Sequence, residues 1–286
     1  MLFTMNKDLF IKHIRWLIKE YDKQLRLALK GAKEEPVHEL RVMIKRLSAL
    51  FLFLDEAGIY RKKSSTFFEQ LHYFFKSAGN LRDIQVMKSL IVNYRDQVTK
   101  DITEYETYLV NKEMTAKDAF FTRSEEYPRQ KQIQVIKKII ESVRKYSDES
   151  LSQKSFAFII KRLDRIDKYL LSPNTAKYLH KIRQTLKQLR YFIEIFQSGS
   201  QFFFIEETDY NEIKEIENII GGWNDRAILI EDITRYISYK QKLGSRTPDP
   251  ALTKLVRIIR KNKKEMISDI RPRMLKFIYH LKYSIL

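Results

Sequence analysis

The segment Val37–Leu54, VHELRVMIKRLSALFLFL, aligns without a gap on Leu179–Phe196, LHKIRQTLKQLRYFIEIF. His38 meets His180, Arg41 meets Arg183, Lys45 meets Lys187 and Leu47 meets Leu189, all at a separation of 142 residues. Further on, Gly79-Asn80-Leu81-Arg82-Asp83 meets Gly221-Gly222-Trp223-Asn224-Asp225, with glycine and aspartate in register at the same separation. Two matches sharing one separation, close to half of the 286 residues, point to an internal duplication. Both quoted segments repeat apolar residues every three or four positions, the period of a helix with one buried face.

The same period runs outward over the rest of the chain and predicts about six helices in each half. In the first half they fall near 6–30, 36–57, 62–79, 81–98, 101–123 and 129–146. In the second they fall near 151–171, 174–197, 207–221, 224–241, 250–265 and 267–284. Pro36 and Pro173 stand near the starts of the two matched helices, where a missing N–H costs little. Gly58 and Gly199 follow them, where a helix end favours a left-handed residue. With only seven glycines and six prolines, sharp corners are few, which argues against a sandwich or barrel. The expected fold is all-α, two antiparallel bundles joined at the polar Ser147–Ser152 stretch, giving repeats 1–147 and 148–286. The aromatic runs Phe67-Phe68, Tyr73-Phe74 and Phe202-Phe203-Phe204 read as core.

Lys and Arg number 54 against 36 Asp and Glu, a formal net charge of +18. So large a surplus repels itself, and a polyanionic partner is the natural reason to keep it. The chain has no cysteine, which excludes disulfides, thiol catalysis and cysteine-held metal centres. Charges interrupt the first 21 residues, and the longest uncharged run, Ile195 to Ile205, is far below the ~20 apolar residues of a membrane span. The expected location is cytoplasmic, with no membrane partner.

On a wheel of about 100° per residue, His38, Arg41, Lys45 and position 48 lie within about 80° of one another. Leu40, Met43, Ile44, Leu47, Leu50, Phe51 and Leu54 lie opposite. The second copy gathers His180, Arg183, Lys187 and Arg190 on one face, with Tyr191 and Glu194 beside them. Glu194 stands four residues after Arg190, within reach of its guanidinium. Any surface helix shows charge opposite an apolar stripe. Against that plain reading, Lys177 to Arg190 carries five cations and no acid. The chain has only five histidines, yet two hold matched places.

The pattern His-x-x-Arg-x-x-x-Lys in both halves resembles the CHAD family, the conserved histidine α-helical domain. His38-x-x-Arg41-Val42-x-x-Lys45-Arg46-Leu47 resembles its first signature, and His180-x-x-Arg183-x-x-x-Lys187-x-Leu189-Arg190-Tyr191 its second. Leu81-Arg82-Asp83 and Gly221-Gly222-Trp223-Asn224-Asp225 resemble two further family segments. Ser48, Gln85 and Gln188 depart from the pattern and thin the basic face. The resemblance implies a single CHAD domain over 1–286, with two bundles about a pseudo-twofold axis and basic residues converging on a central cavity. It also implies non-catalytic binding of inorganic polyphosphate, location at polyphosphate granules and a polyphosphate-metabolising enzyme as partner.

Polyphosphate offers charge and no bases, so its binder needs dense cations in a shaped site. Arginine supplies a planar two-bond fork, lysine a point charge, and histidine one donor when neutral. The expected phosphate path is lined by His38, Arg41, Lys45, Arg46, His180, Arg183, Lys187 and Arg190, with phosphate or sulfate able to occupy it. No cofactor, metal site or catalytic residue is expected. Asp83 and Asp225 read as helix caps or cation partners, against a magnesium-holding alternative. Two histidines without carboxylates make an incomplete metal site. The basic segment 251–286, with Arg257, Arg260, Lys261 and Lys264 at helical spacing, reads equally as added binding surface or as solubility. Sequence-independent nucleic-acid binding and a phosphate-transferring or polyphosphate-hydrolysing enzyme stand as the alternatives.

Overall fold

The computed structural model describes residues 5–61, 66–98, 101–125, 129–172, 175–197, 206–244, 247–268 and 270–285. The described residues form ten α-helices and no strand. They are α1 (Lys7–Ala28), α2 (Glu34–Glu56), α3 (Thr66–Tyr94), α4 (Thr103–Glu125) and α5 (Arg129–Arg144). The chain continues as α6 (Asp148–Leu170), α7 (Thr175–Gln197), α8 (Glu207–Lys242), α9 (Pro250–Glu265) and α10 (Ile270–Ile285).

Local chemistry starts and stops these helices. Asn6 caps α1 by accepting from the Leu9 N–H at 2.9 Å, and Ser147 caps α6 by accepting from Ser150 at 3.2 Å. Asp249 accepts from the N–H groups of Ala251 and Leu252, with Pro250 opening α9. α2 has no side-chain cap; Glu34 and Glu35 complement its dipole and Pro36 occupies its first turn. It ends before Gly58, whose φ of +69° only glycine adopts at little cost. Pro173, Gly199, Phe202, Phe203 and Phe204 lie outside the described residues.

The sequence pattern predicts twelve helices, and the structure corrects this. The breaks expected at Gly79-Asn80 and Gly221-Gly222 fall inside the uninterrupted α3 and α8. None of Gly79, Asn80, Gly221 and Gly222 has a positive φ. These glycines leave space for side chains from neighbouring helices, so the absent Cβ serves packing there, not a turn. Tyr73, expected in the core, is 59 % exposed, whereas Phe68 and Phe74 are buried.

Helices α1 to α5 pack among themselves through α1 on α2, α2 on α3, α3 on α4 and α1 on α5. Helices α6 to α10 repeat the scheme through α6 on α7, α7 on α8, α8 on α9 and α10 on α6. Where the two sets meet, like faces like: α2 packs on α7 and α3 on α8. Phe53 of α2 anchors that seam, with its ring 6.1 Å from Phe10, 5.5 Å from Phe158 and 4.8 Å from Phe192. Emptying so central an aromatic site by Phe53→Ala costs about 3–5 kcal/mol. Two buried polar latches reinforce the seam. Arg162, wholly buried, donates twice to Glu56 at 2.8 Å, and Asp232 accepts from the Tyr105 hydroxyl at 2.9 Å and from Lys112.

Candidate functional site

Because α2 and α7 pack on each other, their apolar faces cannot be the only buried ones. Leu40, Met43, Ile44, Leu47, Leu50, Phe51 and Leu54 are buried, as are Ile182, Leu186, Leu189, Phe192 and Ile193. The basic sides are half-buried too, closed in by α3 and α8. The arginine and lysine of the repeated pattern therefore sit at a four-helix seam.

Arg41 lays its guanidinium against α3. Its Nη1 donates to the Phe75 carbonyl at 3.3 Å, and its Cζ lies 4.8 Å above the Phe75 ring. A Cβ at Gly79 would come within 2.5 Å of that Nη1, so glycine is what admits the guanidinium. Arg183 does the same on α8: Nε donates to the Glu217 carbonyl at 3.4 Å, and a Cβ at Gly221 would meet Nη2 at 2.8 Å. Each arginine thus addresses a carbonyl 34 residues downstream, and 75 and 217 are again 142 apart.

Lys45 and Lys187 meet from opposite helices within hydrogen-bonding reach. Burial, then the Lys187, Arg41 and Arg183 charges, lower the Lys45 amine to about 6. Burial and Arg183 lower Lys187 to about 8. Each amine thus opposes the charge of the other, and the shift is larger at Lys45. Burial, followed by the Arg82 and Arg183 charges, lowers Arg41 as well, although Asp83 and Asp225 oppose that shift. Burial also raises Asp83, against the pull of Arg41, with Asp225 adding like charge. Of the two roles read for these aspartates, cap or cation partner, capping is corrected, since both lie inside continuous helices. They face the cations instead. Burying several cations together is costly, and Asp83, Asp225 and Glu217 offset part of that cost.

The other predicted residues are placed differently. His38 is half-buried beside this group; burial first, and then the Arg82 guanidinium, lower its imidazole below the ordinary value. His180 is exposed, its Nε2 2.8 Å from Gln184 Nε2. Arg46 turns to Glu194, Nε to carboxylate at 2.7 Å. Arg190 donates to Glu217 through Nε at 3.0 Å and Nη2 at 3.1 Å, and also bonds Glu194. Burial disfavours its charge, but the Glu217 carboxylate prevails and raises its pKa. Its Cζ stands 4.3 Å above the Tyr191 ring.

Sequence reading missed Glu217, which lies 27 residues from Arg190, and gave the glycines the wrong role. Their common separation from the arginines, 38 residues in each half, was the signal available. Among the described residues no three His, Asp or Glu gather as metal ligands. No described helix is long and apolar enough to cross a membrane.

The fold is all-α, and it brings cations of α2 and α7 together at one buried seam. Residues 12–231 match the family model of the CHAD domain, and the chain belongs to that family. Polyphosphate binding is the family's known property, and its members are in general binding domains. The fold is similar to the crystal structure of the CHAD domain from the plant Ricinus communis. That match has a TM-score of 0.68 at 14 % identity, covering 98 % of this chain and 93 % of that one. It is also similar to PptA from Streptomyces chartreusis, with a TM-score of 0.58 at 13 % identity over 96 % and 99 % of the two chains. At such identities the likeness is one of fold. No curated protein sequence matches the chain.

Proposed function

We propose that this protein binds inorganic polyphosphate without chemical turnover, in a basic cavity at the seam of α2 and α7. The observation that carries the reading is the meeting of Lys45 and Lys187, both with lowered pKa, between Arg41 and Arg183. An empty site of this kind holds an electrostatic debt that a phosphate chain cancels. Arg41 and Arg183 are oriented by the Phe75 and Glu217 carbonyls and keep further N–H donors for phosphate oxygens. Lys45 and Lys187 supply charge between them, and Lys45 gains its proton as the anion arrives. His38 and His180 donate at the edge. Arg46 and Arg190, already paired with carboxylates, contribute orientation and residual field.

In this reading 1–286 is one CHAD domain made by duplication of a helical repeat, 1–147 and 148–286, about a pseudo-twofold axis. The like-on-like contacts of α2 with α7 and α3 with α8 support it. The protein works in the cytoplasm, at polyphosphate granules, beside a polyphosphate-metabolising enzyme.

The test is competition calorimetry at ~150 mM salt, where the Debye length is about 8 Å and diffuse attraction is weakened. Long-chain polyphosphate is expected to bind tightly and to resist displacement by charge-matched tRNA or duplex DNA. Displacement by tRNA and duplex DNA as readily as by polyphosphate itself would favour the nucleic-acid alternative. Magnesium-dependent release of phosphate from the bound chain would favour the enzyme.

A further inference from the structure

The fourth helix of each half makes the same packing choice with opposite surface chemistry. α4 lies on α3 and buries Tyr105, Leu109, Ala116 and Phe120. α9 lies on α8 and buries Ala251, Leu252, Leu255, Val256 and Ile259. The outer face of α4 mixes signs, and its lysines are engaged: Lys112 with Asp232, and Lys117 with Glu113. α9 carries Lys254, Arg257, Arg260, Lys261, Lys263 and Lys264 against the single acid Glu265. Among the described residues Lys254, Arg257, Arg260 and Lys264 have no carboxylate partner, and Lys261 reaches Glu265 only at 3.9 Å. Packing this helix onto its neighbour does not require such a face, because α4 does without it.

The face has a direction. Lys254, Arg257, Lys261 and Lys264 follow one another at three- and four-residue spacing, all exposed. They form a stripe about 15 Å long at 1.5 Å per residue. Its carboxyl end packs on α8 at Gly222 and Trp223. Lys263 stands 4.3 Å above the Trp223 ring, and a Cβ at Gly222 would meet the Met266 methyl at 2.8 Å. Gly222 is the immediate neighbour of Gly221, on which Arg183 rests. Asn262 of α9 also donates to the Tyr94 hydroxyl at 3.3 Å, and Arg226 of α8 donates to that same oxygen at 2.8 Å. These contacts fix the carboxyl end of α9 to α3 and α8, the two helices whose Gly79 and Gly221 face Arg41 and Arg183.

We propose that the exposed face of α9 is an outer track for polyphosphate chains that extend beyond the central cluster, so that the protein grades its ligand by length. The inference rests on the polyphosphate reading of the seam. A short anion fills the cluster and never reaches the stripe. A long one adds contacts with Lys254, Arg257, Lys261 and Lys264, each a surface cation whose gain is salt-sensitive. Nothing on the equivalent α4 offers a second track, so the length effect is one-sided.

The experiment titrates tripolyphosphate, long-chain polyphosphate and tRNA into the wild-type protein, K254Q/R257Q/K261Q/K264Q and the Arg41→Ala/Arg183→Ala variant. All four substituted side chains on α9 are exposed, and a melting curve checks folding. If the quadruple variant melts early, R257Q/K261Q alone reads the same effect at smaller size. The expected result is a loss of about tenfold or more in long-chain affinity, with a salt dependence shallower by about three. Tripolyphosphate binding stays within about twofold, while the arginine variant loses both ligands. Unchanged long-chain binding overturns the track and leaves the central site standing. An equal loss for tripolyphosphate also overturns it, because the stripe would then act only as a diffuse field. Loss of tRNA binding alone would make α9 a nucleic-acid surface and overturn it likewise. If the wild type binds neither phosphate polymer, the polyphosphate reading itself falls and the track goes with it.

Discussion

Helices α2 and α7 carry the same histidine, arginine and lysine at the same spacing, yet their surroundings diverge one turn further on. In α7, Arg190 is clamped by Glu217 and Glu194. The residues 142 positions earlier are Ser48, which donates to the Ile44 carbonyl at 2.8 Å, and Phe75, whose ring faces Arg41. A buried ion pair in one half thus stands where a hydroxyl and an aromatic ring stand in the other. The cations common to both helices, Arg41, Lys45, Arg183 and Lys187, are those without a side-chain salt bridge among the described residues. Arg46 of α2 and Arg190 of α7, which stand opposite Gln188 and Ser48, are each neutralised by carboxylates. What α2 and α7 share is unspent charge, and what separates them is internal structure.

Breaking the pair that differs should have the largest effect. Glu217→Ala leaves the Arg190 guanidinium buried with less compensation and should cost about 3–5 kcal/mol, read as a lower denaturation midpoint. The double change Arg190→Ser/Glu217→Phe copies the first half, and should cost less than the two single changes added together. Additive costs would show that the Ser48 and Phe75 arrangement is not transferable.

The shared charge predicts the pH dependence. Lys45 in the folded protein titrates near 6, below its ordinary 10.5. Between those values the unfolded chain holds a proton that the folded one lacks, so stability rises with pH. The slope from Lys45 is at most ~1.4 kcal/mol per pH unit, and below about pH 6 this group adds no further loss. Lys187 adds its share only above about 8; Arg183 acts on both amines, Arg41 on Lys45, and Glu217 and Arg190 on Lys187. Melting curves from pH 6 to 9 should show this rise in wild type and a weaker one in Lys45→Met. Polyphosphate should flatten it, since binding at pH 7.5 takes up a proton. Calorimetry in two buffers of different ionisation enthalpy measures that uptake directly.

A smaller effect separates binding from folding. Gly79→Ala puts a Cβ where the Arg41 guanidinium lies, and the flexible arginine must move away. The helix gains about 0.5–1 kcal/mol from alanine, so stability should hold or rise while polyphosphate affinity falls about tenfold. A fall in both would mean that Arg41 cannot relocate. Smallest of all is His180→Ala, where an exposed ring bonded only to Gln184 is removed. Stability should change by less than ~0.5 kcal/mol, and His38→Ala, at a half-buried site, should cost more.

Much of this architecture is visible in periodicity alone, because every helix buries one stripe and the stripe has its own period. The apolar residues assigned to the α2 core are all buried, and the Arg190 to Glu194 bond follows from four-residue spacing. Helix continuity at Gly79 and Gly221 is not visible, since a glycine that ends a helix and one that admits an arginine look alike in sequence. The pairing of Arg46 with Glu194, 148 residues away, depends on how α2 meets α7. The approach of Lys45 to Lys187 is harder still to foresee: like charges are expected to avoid each other, and only the packed seam brings them together. The different exposures of His38 and His180 likewise come from neighbours, not from their matched places in the pattern.

The most direct test of the shared charge compares long-chain polyphosphate binding by wild type, Arg41→Ala/Arg183→Ala and Arg46→Ala in one calorimetric series. Losing two charge-assisted arginine contacts should weaken binding by on the order of a hundredfold or more, whereas loss of the already paired Arg46 should cost only a few-fold. Undiminished binding by the double variant, or an equal loss in Arg46→Ala, would contradict a pre-shaped phosphate site at the α2 and α7 seam.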